Sequence, residues 1–249
     1  MTALMQLPVA SRRNASLDLI KWVAMATMLM DHLRYLWPDA HWLFVVGRMA
    51  FPLFCLGIAT NVARSRPGDL FTDSNVHYLG WLIAFSVISE LPYRLLSPLS
   101  STLNVMPTLM LGMLVAWGIH HRDRTSSWLA LATLLIATAL HSRLMYGAFG
   151  VLLPAAILLS LQRFWGWWLL PAATAALANS RTRWLADSGL TVETLAPLIT
   201  AFATPMAGLW LLRQAFAPAI WPVRRWGYLF YPGHLAALQL IRVALQHLS

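Results

Sequence analysis

Apolar runs of roughly 15–22 residues follow one another through almost the whole chain, separated by short polar connections. A helix needs about 20 residues to cross a hydrocarbon core of about 30 Å. The pattern therefore predicts helices near 17–37, 42–63, 77–97, 104–120, 127–141, 146–163, 165–180, 193–214 and 226–247. The expected fold class is all-α, a polytopic transmembrane helix bundle of about nine spans. The turn between the sixth and seventh runs is little more than Trp165–Gly166, so eight spans is the alternative. No linker, composition shift or internal repeat marks a second domain. A polar lead over residues 1–16 precedes a single domain over 17–249. The first apolar run holds Asp18 and Lys21 and lacks a small-residue cleavage site, so a retained span is expected rather than a signal peptide.

Composition supports this reading. Of 249 residues 59% are hydrophobic and 11% charged, with mean hydropathy +0.61, whereas about a quarter of residues are charged in soluble domains. The net charge of +9 comes from 18 Lys+Arg against 9 acids. In a membrane chain such an excess anchors cytoplasmic loops, so lipids rather than nucleic acid are the expected partners. With the N-terminus inside, Arg12, Arg13, Arg64, Arg66, Arg122, Arg124, Arg163, Arg213, Arg224 and Arg225 collect at inner ends. The outer ends hold Arg34, Arg94, Arg143, Arg181, Arg183 and Arg242. The bias favours a cytoplasmic N-terminus. The single cysteine, Cys55, supplies no disulfide framework.

Against this apolar background, MLMDHLRYLWPDAHWLFVVGRMAFPLF (28–54) stands out. It places Asp31, His32 and Arg48 within spans, where each charge costs at least ~2.5 kcal/mol, so they are candidate functional groups. Counted at helical rise, His32 lies ~22 Å above the inner face and Glu90 ~20 Å, with Arg48 ~9 Å below the outer face, so all three share one layer. Asp18, Lys21, Met25, Met28 and His32 recur at three- and four-residue intervals and line one helix face. That stripe either lines a pathway or meets a partner helix; alternatively Asp18 and Lys21 lie at the interface, where lysine snorkels to water. For Arg48 the other reading is a counter-ion to Asp31 or Glu90, and for His32 an interhelical hydrogen bond.

Further polar candidates are Glu90 and Tyr93 at the end of the third span, Asn104 at the start of the fourth, Tyr146 at the start of the sixth, and Tyr231 and His234 around Pro232 in the last. Asn104 is equally a helix cap and Tyr146 an interfacial aromatic. Gly-rich phosphate loops, H-E-x-x-H, Cys-x-x-Cys and G-x-S-x-G are absent. Asp31, His32 and His234 lack the spacing of a metal site, so no metal is expected.

DLIKWVAMATMLMDHLRYLWP, GRMAFPLF, ISELPY, LNVMPTLMLG, MYGAFGVLL and LFYPGHLAAL resemble, in that order, motifs of the TraX family. Residues from about 160 to 220 match only in hydropathy, and Met145 stands where many members have an acidic or small polar residue. The resemblance implies a bacterial inner-membrane acetyltransferase that uses cytoplasmic acetyl-CoA and acetylates the amino-terminal residue of a pilin subunit. Under it, His32 is the expected general base, oriented by Asp31 or Glu90, and Arg48 the oxyanion or thioester-carbonyl donor. Lys21, Arg64, Arg122, Arg124 and Arg225 are candidates for the CoA nucleotide. Tyr93, Asn104, Tyr146, Tyr231 and His234 would stand near the substrate or behind the reacting groups. An O-acetyltransferase of an envelope glycan or lipid is the rival enzyme, and a proton-coupled small-molecule transporter the rival of another class.

Overall fold

The computed structural model describes residues 15–180, 191–214 and 220–248. The lead with Arg12 and Arg13, and also Arg181 and Arg183, lie outside the described residues. Among those described there are ten α-helices and no strand. They are α1 (Ala15–Leu33), α2 (His41–Gly47), α3 (Ala50–Arg64), α4 (Asp73–Leu96), α5 (Val105–His121), α6 (Arg124–Ala139) and α7 (Gly147–Ser160). A 3-10 turn (Trp165–Trp168) then leads into α8 (Leu169–Asn179), followed by α9 (Val192–Arg213) and α10 (Trp226–Leu248).

With α2 and α3 taken as one rod, the described helices match the nine predicted runs in order. The rod His41–Arg64, α4 and α9 are each long and apolar enough to cross a membrane. Helices α5 and α7 are apolar but shorter. α1 carries Asp18, Lys21 and Asp31 within its 19 residues.

The break between α2 and α3 has a local cause. Pro52 has no N–H to give to the carbonyl of Arg48 four residues earlier, and its ring crowds that carbonyl aside. The chain tightens there, with Arg48 N bonding Val45 O at 3.2 Å and Met49 N bonding Val46 O at 3.1 Å. Pro232 lies likewise inside the helix that carries His234, two residues before it, but that helix runs on as one element.

Helix α3 is the centre, packed by α1, α5, α7 and α9. The most apolar stretch of its rod is 61% buried, against 28% in α4 and 33% in α9, whose outward faces carry exposed apolar side chains. On one side α10 lies against α4 and α1; on the other α8 packs between α7 and α9. Close approach depends on small residues: a Cβ on Gly112 of α5 would stand 2.7 Å from the Pro154 ring and 3.1 Å from the Val151 carbonyl of α7.

Turns are closed by side-chain caps. Thr72, Asn104, Asp123 and Thr191 accept from the amides of Asn75, Met106, Ser126 and Thr194 at the starts of α4, α5, α6 and α9. The bond from the Ser126 amide holds the Asp123 carboxyl below its usual range.

Gly112→Ala is therefore expected to destabilise the protein by about 1–3 kcal/mol, because neither a proline ring nor a carbonyl can move aside cheaply. Gly80→Ala, with nothing within 4 Å of its added Cβ, should be neutral or stabilising. Thermal unfolding in detergent checks both; equal melting temperatures would show that α5 and α7 can part without cost.

Candidate functional site

Of the charge layer predicted from the sequence, Arg48 gathers Asp31. Its Nη2 donates to Asp31 Oδ1 at 2.7 Å, its Nη1 to Asn179 Oδ1 at 3.4 Å and its Nε to the Phe44 carbonyl at 3.3 Å. The guanidinium also lies 4.2 Å from the centre of the Phe44 ring, whose centre is 5.0 Å from the Arg34 guanidinium. Arg34 Nε is 3.8 Å from Asp31 Oδ1. Two guanidiniums thus surround one carboxylate, which leaves a net positive charge beside the neighbouring His32. The ion pair exists because α1 and α2 touch at Gly47, where a Cβ would meet Asp31 Cβ at 2.4 Å.

Asp31 does not orient His32, as the sequence reading had allowed. Successive residues of a helix point about 100° apart, so a carboxylate turned to Arg48 is turned away from the adjacent imidazole. The partner of His32 is His234 on α10, with His32 Nδ1 and His234 Nε2 2.9 Å apart. His234 Nδ1 bonds the Phe230 carbonyl at 2.7 Å, and the Phe230 ring stacks on the imidazole at 4.9 Å. The Tyr35 ring stacks on His32 at 6.3 Å. Both histidines are buried.

Glu90 is committed elsewhere. Its Oε1 accepts from Arg94 Nε at 2.7 Å, and its Oε2 accepts from Asn104 N at 3.0 Å and Asn104 Nδ2 at 2.7 Å. Asn104, fully buried, also caps α5 through Met106 N at 2.9 Å. Tyr93 joins Ser100 at 2.5 Å and Thr102 at 3.1 Å in the same α4–α5 connection. These groups fasten a hairpin. They approach the histidines through Tyr231, whose hydroxyl accepts from Val105 N at 3.4 Å and whose ring lies 5.7 Å from His234 and 6.4 Å from His32, and through Tyr35, whose hydroxyl donates to Ser97 Oγ at 3.0 Å. Tyr146 is buried rather than interfacial, stacked on Phe51 at 3.8 Å.

A cavity of about 300 Å³ runs along the stripe read from the sequence. Lys21, Arg224 and Arg225 stand at one end, and Met25 and Met28 follow along α1. The opposite wall includes Phe54, Gly57 and Asn61 of α3, and Val105 and Tyr231 close the far end. His32 lies one helical turn, about 6 Å, beyond Met28. Arg64 is near enough to act electrostatically on Lys21 but is not in the cavity wall. Arg122 and Arg124 flank the α5–α6 turn and are not in the cavity wall either.

The basic end is tied to the segment before α10. Val223 N donates to Asp18 Oδ1 at 3.3 Å, Lys21 Nζ to the Val223 carbonyl at 3.5 Å and Trp22 Nε1 to the Trp221 carbonyl at 2.9 Å. Asp18, which is buried, thus ties α1 to this segment.

Sequence reading missed Asn179, Asn61, Tyr78 and Tyr228. The last two also line the cavity, and Tyr78 stands beside Asn61 and Tyr228. The available signal was an asparagine inside each of two apolar runs. Among the described residues no group of three His, Cys, Asp or Glu side chains is placed to hold a metal ion.

The family model described as TraX protein matches residues 16–242. The chain belongs to the TraX family. Protein TraX of Escherichia coli (strain K12) is 48% identical over 48 residues, which are 19% of this chain and 19% of that protein. The alignment thus spans about a fifth of that TraX relative's length. No solved structure matches the chain.

Removing Arg48 alone leaves the buried Asp31 carboxylate without its main partner. Arg48→Met should cost about 3–5 kcal/mol, whereas Asp31→Leu/Arg48→Met, which removes both charges, should recover much of the loss. Arg48→Lys should recover less, since one ammonium cannot meet three acceptors set apart for a planar fork. Thermal unfolding of these variants and of Asp31→Leu alone closes the double-mutant cycle and measures the coupling; additive losses would mean that the pair is not a unit.

Proposed function

We propose that this protein is an inner-membrane, nine-span acetyltransferase that moves acetyl from acetyl-CoA to the N-terminal amine of a pilin subunit. The observation that carries this reading is the shape of the cavity. Its basic end suits the CoA phosphates, its apolar shaft suits an extended arm, and it stops beneath a buried histidine pair. From Lys21 to His32 the helix rises ~16 Å, a length for an arm rather than for a nucleotide.

Each chemical requirement then has a residue. Lys21, Arg224 and Arg225, with Arg64 behind them, take the phosphates from the cytoplasmic side. Met25 and Met28 flank the arm with adaptable thioethers. His32 accepts the proton of the attacking amine. The net positive charge of Arg34 and Arg48 around Asp31 stabilises the developing oxyanion by its field, although Arg48 is already bonded three ways.

Mass spectrometry of the pilin from cells with and without the protein tests the reaction, with an N-terminal gain of one acetyl expected. Acetyl found on a glycan or lipid hydroxyl would instead support O-acetylation. Purified protein should be thermally stabilised by CoA; no stabilisation together with proton-driven solute uptake would favour the transporter. His32→Ala should abolish transfer in a folded protein, and wild-type rates would remove His32 from the mechanism.

The arm's route has its own test. Met25→Trp and Met28→Trp should fill the shaft and lower both CoA affinity and rate, while Val23→Trp and Leu29→Trp, off the cavity wall, should matter less. Equal activity across the four folded variants would put the arm elsewhere.

A further inference from the structure

The two histidines fix each other's protons. A carbonyl oxygen can only accept, so the proton in the His234–Phe230 bond of 2.7 Å sits on His234 Nδ1. A neutral imidazole carries one N–H, which leaves His234 Nε2 with a lone pair. The proton in the 2.9 Å bond between the rings must then belong to His32 Nδ1. The same count on His32 puts its remaining lone pair on Nε2.

We propose that His32 and His234 form a two-histidine proton relay across the α1–α10 seam. In it His32 Nε2 takes the acceptor's proton and His234 Nε2 receives the proton displaced from His32 Nδ1. The relay rests on the acetyl-transfer reading above. The amine nitrogen attacks the thioester carbonyl carbon, an N–C bond forms, the C–S bond breaks and CoA leaves as its thiolate. The proton of the amine nitrogen goes to His32 Nε2 while the Nδ1 proton crosses to His234. His234 is then an imidazolium that donates to the Phe230 carbonyl and to His32 Nδ1. The reverse shift delivers one proton from His32 Nε2 to the thiolate and restores both tautomers, so no outside acid or base is consumed.

A neutral partner suits this place. Asp31 is held by Arg48 at 2.7 Å, and both oxygens of Glu90 are taken by Arg94 and Asn104. Stacked against Phe230, His234 presents one fixed nitrogen to His32. It can also accept a full proton, which an amide or a hydroxyl in its place would not.

Nitrogen-15 spectra of histidine-labelled protein read the tautomers without any variant. A coupling across the N–H···N bond identifies the pair, and both rings are expected neutral with the proton on Nδ1. A proton on Nε2 of His32 in the resting protein would overturn the relay. In kinetics, His234→Gln keeps an oxygen that can accept from His32 but cannot take its proton. The rate constant kcat should fall on the order of 10²-fold, as for loss of a general-base contribution, with KM for acetyl-CoA unchanged. Wild-type kcat in that variant would overturn the relay and leave His234 as a mere orienting group. If the variant does not fold, the tautomers decide alone. A wild type that transfers no acetyl would sink the acetyltransferase reading, while the spectra still test the proton arrangement independently.

Discussion

An arginine keeps its charge at any accessible pH, so a chain that buries one must bring an answer to it. Here the answer is Asp31, 2.7 Å from Arg48, and much of the bundle follows from that contact. It presses α1 against α2 at a glycine and draws Asn179 of α8 to the same point. The Pro52 break gives Arg48 the turn from which it reaches all three acceptors. With Asp31 fixed toward α2, the next residue of α1 is fixed away from it. That turns His32 toward α10.

The polar groups of the layer divide into those whose bonding capacity is spent on holding helices and those left with some to spare. Glu90, Asn104, Tyr93 and Arg94 close a hairpin and stabilise the start of α5. The histidine pair does the opposite. It joins two helices by a single bond, one helical turn beyond Met28 of the cavity wall. Charge around the site is similarly uneven, with two guanidiniums and one carboxylate on the α2 side and neutral rings on the α10 side.

Much of this was legible in the sequence. Apolar runs fixed the helices to within a few residues because length and hydropathy are local properties. The helical rise brought Asp31, His32 and Arg48 to one depth, and the three-and-four spacing of Lys21, Met25 and Met28 marked a face that does line a cavity. What could not be read was azimuth between helices. Depth put Glu90 level with His32 but said nothing of which way each pointed, so a carboxylate was assigned where a second histidine stands. Adjacency of Asp31 and His32 in the chain suggested a pair; the 100° step between neighbours on a helix argues against one. Arg122 and Arg124 were grouped with Lys21 by side of the membrane, and only packing separates them from the cavity.

The bond between His32 and His234 joins residues 202 positions apart. One histidine therefore belongs to the first helix described and the other to the last, and the segment before α10 also supplies part of the cavity's basic end. During synthesis every other element is made before this pair can meet. A chain without α10 would lack His234 and leave His32 Nδ1 without this partner. The joined pair, and with it the seam between α1 and α10, therefore depends on both of these helices being in place.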